Sequence, residues 1–250
     1  MFFEYESIGL RKSCLIILLL LFGVLITGCG EPAKTYHVRS FTNETICVDG
    51  ILEEKVWKNT NGESSFGFPW QKEMSPRTTF RAFYDEDCLY FCFSVEDRDI
   101  VYDKSRNDEM VLTVEDRVEI YFAKDKKLKD YYCIEIDPLG RTLDYSAQYY
   151  RNFDVDWGCK GLKTAAVMTE QGYNVEGMIP IDSLADLFDE TELSVGLYRA
   201  EISLGPEEAL IEEWISWVDP KTKEPDFHTP SSFGRFIFDG VVPIKPASLK

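Results

Sequence analysis

Phe80-Arg81-Ala82-Phe83-Tyr84-Asp85-Glu86-Asp87-Cys88-Leu89-Tyr90-Phe91-Cys92-Phe93-Ser94-Val95 is the stretch on which the fold turns. Apolar side chains fall on every second position, Phe80-Ala82-Tyr84 and then Leu89-Phe91-Phe93-Val95, on either side of an acidic turn. A period of two sends alternate side chains to one face, the pattern of a strand resting on a core. Two such runs joined by a short polar turn predict a β-hairpin. The same alternation recurs at Val118-Ile120-Phe122 and at Ile134-Ile136, the latter stopped by Pro138-Leu139-Gly140. Further strands are expected over 162–168, 173–179, 196–204, 211–218 and 234–238. Helical signals are sparse: one or two turns over 51–57, and a short helix reaching Leu187 behind Pro180. Many short strands with few short helices predict an all-β fold, a single antiparallel β-sandwich of two sheets in the jelly-roll or immunoglobulin manner. Polar residues between the apolar ones are expected on solvated outer faces.

The N-terminus speaks to compartment. Arg11 and Lys12 precede an apolar run from Cys14 to Ile26, and small residues follow. That is the layout of a secretory signal, and the run is shorter than the roughly 20 residues a spanning helix needs. Ile26-Thr27-Gly28-Cys29 fits the lipobox of bacterial lipoproteins, in which the cysteine becomes the acylated N-terminus. The expected organisation is a signal peptide over 1–28, a tether over 29–35, one domain over 36–240 and a tail over 241–250. Cys29 is the expected lipidation site. A membrane reached through that lipid anchor, in the bacterial cell envelope and on the outer membrane, is the expected location. A formal charge of −17 repels phosphate backbones, so nucleic acid is not an expected partner. Cys88 and Cys92 lie about 13 Å apart along one strand, too far to bridge each other. No CxxC pair is present, which argues against a structural zinc site.

Four segments in order carry a resemblance. They are Ile46-Cys47-Val48-Asp49-Gly50-Ile51-Leu52-Glu53-Glu54 with Trp57, the hairpin above, Glu115-Asp116-Arg117-Val118-Glu119-Ile120-Tyr121-Phe122, and Trp217 through Asp226-Phe227-His228-Thr229-Pro230 to Gly234. Between them stand Gly161-Leu162-Lys163-Thr164-Ala165 and Gly172-Tyr173-Asn174-Val175-Glu176. Together they resemble the family 9 carbohydrate-binding modules, over nearly all of the chain beyond the signal. The resemblance implies a two-sheet sandwich and non-catalytic binding of a poly- or oligosaccharide. It also implies service to separate glycoside hydrolases in carbohydrate catabolism, and calcium as a candidate structural ion. In that family a sugar lies between two tryptophan faces. Here Thr113 and Phe227 stand at those positions, and the family's F-R-V-N strand reads Ile134-Glu135-Ile136-Asp137.

The candidate sugar-binding residues are therefore Phe227, His228, Glu119, Glu135, Asp137 and Trp157. Aromatic faces cover the C–H surface of a pyranose, and carboxylates accept its hydroxyls. Glu119, Glu135 and Asp137 are expected to share one sheet face. Trp70, Tyr149 and Tyr150 are loop aromatics able to replace the missing rings, whereas Trp57, Trp214 and Trp217 read as core. Glu96, Asp97 and Asp99 are the candidate calcium ligands. Two other classes stay open: a haem b sandwich using His228 with Met110, Met168 or Met178, and a structural or partner-docking envelope protein.

Overall fold

The computed structural model describes residues 33–41, 44–106 and 108–243. The expected signal peptide, Cys29, most of the expected tether and the end of the expected tail thus lie outside the described residues. Twelve strands among the described residues carry the architecture: β1 (Thr35–Ser40), β2 (Thr78–Tyr84), β3 (Cys88–Glu96), β4 (Arg117–Ala123), β5 (Tyr131–Ile136) and β6 (Thr142–Gln148). After them come β7 (Asn152–Asp154), β8 (Lys163–Met168), β9 (Gly172–Pro180), β10 (Glu192–Leu204), β11 (Leu210–Ser216) and β12 (Gly234–Phe238). The α-helices among the described residues are short, α1 (Lys55–Asn59) and α2 (Ile181–Leu184). None is long and apolar enough to cross a membrane.

The strands are hydrogen-bonded in the order β7-β6-β5-β4-β10-β12-β1-β2-β3-β9-β8, with β11 paired to β10. The predicted hairpin is there, with Phe80 opposite Phe93 and Ala82 opposite Phe91. The expectation of purely antiparallel pairing needs correction at β1. Its first four residues run parallel to β12 and its last two parallel to β2, so the order is mixed. A parallel neighbour requires a long crossover connection, and residues 41–77 supply one between β1 and β2.

One buried cluster draws Phe80, Phe91, Phe93, Tyr173 and Val175 from β2, β3 and β9. It also takes Val118, Ile120, Ile134, Val195, Leu197 and Phe236 from β4, β5, β10 and β12. Each such side chain, fully removed from water, contributes on the order of 1.5–3 kcal/mol.

The outer faces are covered too, which overturns the polar-out expectation. Every residue of β4 is buried. Outside β3 lie Val56 and Trp57 of α1, packed on Phe83 and Cys92. Outside β4, β5 and β10 lie Val111, Leu112, Phe227 and Phe233, packed on Tyr121, Tyr131, Cys133 and Tyr198. The opening segment is pinned by Glu176 on β9, whose carboxylate accepts the Asp49 and Gly50 N–H groups and the Trp57 indole N–H, each at 3.0 Å. Gly50 sits at φ +82°, and a Cβ there would lie 2.9 Å from the Ala166 carbonyl carbon, so only glycine fits this turn.

Candidate functional site

Alternation along β4 puts Arg117, Glu119 and Tyr121 on one face, and antiparallel register sets Glu135 of β5 directly opposite Glu119. The Arg117 guanidinium serves both carboxylates. Its Nε donates to Glu135 Oε2 at 2.7 Å and stands 3.0 Å from Glu119 Oε1. Its Nη1 donates to the carbonyls of Leu112 (3.1 Å) and Glu115 (3.3 Å). Tyr145 donates to the other Glu135 oxygen at 2.9 Å. Among the described residues, neither oxygen of Glu119 takes an aligned hydrogen bond, although the group is buried. Burial first, and the Glu135 carboxylate second, push the Glu119 pKa up to about 7 against the pull of Arg117. Burial also works against the charge on Arg117, but the two carboxylates outweigh it and keep the guanidinium protonated.

The second wall comes from the segment leading into β12. Phe227 stacks on Tyr198 of β10, with centroids 4.1 Å apart and planes 13° from parallel. Trp70 and Trp214 each stand 5.7 Å from Phe227, Trp214 edge-on at 85°. The Trp70 indole N–H is held by the Thr222 carbonyl at 3.0 Å, and the Arg117 guanidinium lies 5.4 Å from the Trp214 ring centroid. The edge of the site is formed by Arg151 and Asp226, paired at 2.9 Å. His228 accepts or donates at Nδ1 to the Tyr131 hydroxyl at 3.0 Å. Its burial, reinforced by Arg151, lowers its pKa to about 4, so it is neutral at physiological pH. These groups enclose a cavity of about 210 Å³ lined by Trp70, Arg117, Glu119, Tyr121, Glu135, Arg151, Trp214, Pro225, Asp226, Phe227 and His228.

Four of the sequence candidates therefore meet in one cavity: Glu119, Glu135, Phe227 and His228. Asp137 does not join them. It falls just past the end of β5, where it accepts the Leu139 and Arg141 N–H groups and pairs with the Arg141 guanidinium. Trp157 packs against Tyr132 at 4.8 Å beside a different cavity that includes Lys160 and Pro180.

Trp214 and Trp217 do not share a core face. Three residues of separation turn them to opposite sides of the chain, so that Trp217 enters the main core while Trp214, half-buried, reaches the cavity. Arg117 was legible in the alternation of β4, two residues ahead of Glu119. Arg151 carried no such signal, since it belongs to a hairpin tip with no periodic pattern. Among the described residues lining the cavity with His228 there is no methionine, so no axial pair for haem assembles there.

The acidic cluster is also composed differently from the expectation. Asp97, Asp99 and Glu201 offer oxygens within 4.8 Å of one another, while the Glu96 side chain is exposed and only its carbonyl takes part, accepting Arg199 at 3.0 Å. Asp97 has both oxygens engaged, one by the Asp99 N–H at 3.0 Å and one by the buried Arg199 guanidinium at 3.2 Å. Arg199 also pairs with Glu201. A guanidinium already supplies the positive charge these acids need, so the residues do not fit a calcium ion.

An aromatic-walled cavity floored by paired carboxylates is set on a β-rich scaffold. The chain belongs to the carbohydrate family 9 binding domain-like family, whose model matches residues 48–241. No curated protein matches the chain in sequence. Among solved structures, it is similar to a candidate carbohydrate-binding protein from Bacteroides uniformis (TM-score 0.63, 15% identity, 83% of this chain and 100% of that one). It is also similar to a family 9 carbohydrate-binding module from Caldicellulosiruptor kristjanssonii. The glucose complex of that module matches at TM-score 0.53 and 16% identity, over 86% of this chain and 99% of that one. Its cellotriose complex matches at TM-score 0.53 and 18% identity, over 85% and 100%. At these identities the likeness speaks for the fold.

Proposed function

We propose that the domain binds the end of a neutral oligosaccharide without cleaving it, in the cavity between Trp70, Trp214 and the Arg117–Glu119–Glu135 group. The observation that carries this reading is the pairing of two half-buried indoles with carboxylate oxygens left without an aligned partner. Rings suit the C–H faces of a pyranose, and carboxylate oxygens suit its hydroxyls. The cavity volume suits one sugar ring, given that a cavity of about 150 Å³ takes up benzene. Binding of glucose and cellotriose by the Caldicellulosiruptor module supports the same ligand class.

The absence of catalysis is part of the proposal. A glycosidase holds its two carboxyl groups on opposite sides of the scissile bond. Glu119 and Glu135 are instead side by side on adjacent strands, sharing one guanidinium. The two halves of the strand order, meeting at β1 around one core, are read as the layers of a sandwich.

The chain is further proposed to be an envelope lipoprotein, acylated at Cys29 and anchored in the outer membrane, where it holds glycan for separate glycoside hydrolases. Calorimetric titration with glucose and cellotriose, and with xylose and xylotriose, tests the ligand class. Expected is saturable binding in one of the two series that Trp214→Ala weakens at least tenfold; no heat with any of these sugars removes the reading. Labelled palmitate incorporated by the wild-type chain and not by Cys29→Ser tests the anchor.

A further inference from the structure

The hairpin of β6 and β7 leaves a band of aromatic surface beside the cavity. Tyr149 is 55% exposed, Tyr150 54% and Phe153 44%. Large rings left half in water are costly unless something covers them. Two of the three are tied directly to the cavity edge. The Tyr150 hydroxyl donates to Asp226 Oδ2 at 3.0 Å, and Arg151 holds the other Asp226 oxygen at 2.9 Å while its Nε donates to the Tyr150 oxygen at 3.1 Å. Phe153 meets the His228 ring edge-to-face at 5.2 Å. Tyr149 rests against Tyr150 at 5.3 Å. The rings are thus held in place before any ligand arrives, which lowers the entropic cost of stacking on them.

The cavity itself has room for about one ring, so any longer ligand must leave it across its edge. At the Arg151–Asp226 edge the next surface met is that of Tyr150 and Tyr149. The geometry points to a second sugar subsite outside the cavity, on the Tyr149–Tyr150 face of the β6–β7 hairpin, taking the next pyranose units of an oligosaccharide whose terminal ring fills the cavity. Arg151 and Asp226 belong to both subsites and offer the linking units hydrogen-bonding groups. This inference rests on the carbohydrate reading of the cavity and adds to it a preference for chain length.

The test is a chain-length series on the full chain, purified in a non-glycosidic detergent, titrated with glucose, cellobiose and cellotriose and with xylose, xylobiose and xylotriose. In one of the two series affinity is expected to climb at least tenfold from one to three units. Tyr150→Ala and Tyr149→Ala should each shrink that trisaccharide-to-monosaccharide ratio severalfold. Tyr150→Phe, which keeps the ring and drops the Asp226 bond, should preserve most of it. A role limited to holding Asp226 would lower all ligands alike and leave the ratio intact, overturning the inference. So would binding that does not grow with chain length; in both cases the cavity reading survives. Lack of binding by all six sugars overturns the cavity reading and this inference together.

Discussion

Glu119 is the residue on which the cavity's chemistry turns. Held at about 7, its pKa leaves the side chain shared between two protonation states at neutral pH. A sugar hydroxyl donating to its carboxylate favours the ionised form, so binding should expel a proton. Affinity is then expected to rise severalfold between pH 6 and pH 8. In calorimetry at pH 6 the enthalpy should depend on the buffer's own ionisation heat, and Glu119→Gln should remove that dependence. The same group shapes stability. From the ordinary carboxyl value of 4.5 up to about 7, the folded chain keeps a proton that the unfolded chain has released, so stability falls as pH rises through that window. His228 acts with the opposite sign. Pushed down from 6.5 to about 4, it refuses a proton the unfolded chain accepts, and its contribution is lost as pH falls through that range. Urea unfolding at pH 5, 6 and 7 should show stability climbing more steeply with pH in Glu119→Gln than in the wild type, because the His228 effect is then unopposed; an unchanged slope would show that Glu119 ionises normally. Trp214 adds an aromatic counterpart, since it faces both Phe227 and Arg117. Trp214→Ala should cost at least tenfold in sugar affinity, about 1.4 kcal/mol or more.

The opening segment and β9 illustrate what holds an element in place. Three donors, two from the turn at Asp49-Gly50 and one from Trp57, converge on the buried Glu176 carboxylate. Removing that acceptor strands three polar groups, each worth about 1–3 kcal/mol when left unpaired. Glu176→Ala should therefore lower unfolding free energy by roughly 3 kcal/mol or more in chemical denaturation, with Glu176→Gln intermediate because one amide edge now meets a donor. The segment was legible in the sequence as a motif, yet its reason was not, because Glu176 lies more than a hundred residues downstream. Strands with large alternating residues, such as β3 and β9, were readable for the physical reason that both period and bulk were present. The strand β6 alternates Leu143, Tyr145 and Ala147 with Thr142, Asp144 and Ser146, but a taper from leucine to alanine blurs the signal. The strand β1 offers only Tyr36 and Val38 as buried positions, and β7 is fully exposed. Such strands exist through their pairing partners rather than through their own pattern. The cavity was half legible for a related reason: Glu119 and Glu135 follow from register, whereas Trp70 and Arg151 arrive on loops that only tertiary structure aims.

Across the whole molecule, the two halves of the strand order are joined by β1, by the common core and by Arg199. From β10 its fully buried guanidinium donates to the Glu96 carbonyl at the end of β3, pairs with Asp97 just beyond it, and approaches the Thr78 hydroxyl of β2 at 3.4 Å. It therefore ties the central strand of one half to the hairpin of the other. Glu201 two residues on completes the group, its pKa raised to about 8 chiefly by burial, with Asp97 and Asp116 adding to the effect. Removing one partner of a buried ion pair leaves the other uncompensated, which typically costs 3–5 kcal/mol. Arg199→Ala is expected to lose about that much in chemical denaturation. Because the guanidinium occupies the position a cation would need, millimolar calcium should leave the melting temperature of the wild-type chain unchanged. In Arg199→Ala, Asp97 and Glu201 are freed beside Asp99, all within 4.8 Å, and there calcium should restore part of the lost stability. A calcium-dependent rise of several degrees in the wild-type chain would mean that the ion competes successfully with Arg199. The link between the two halves would then have to be reassigned to metal.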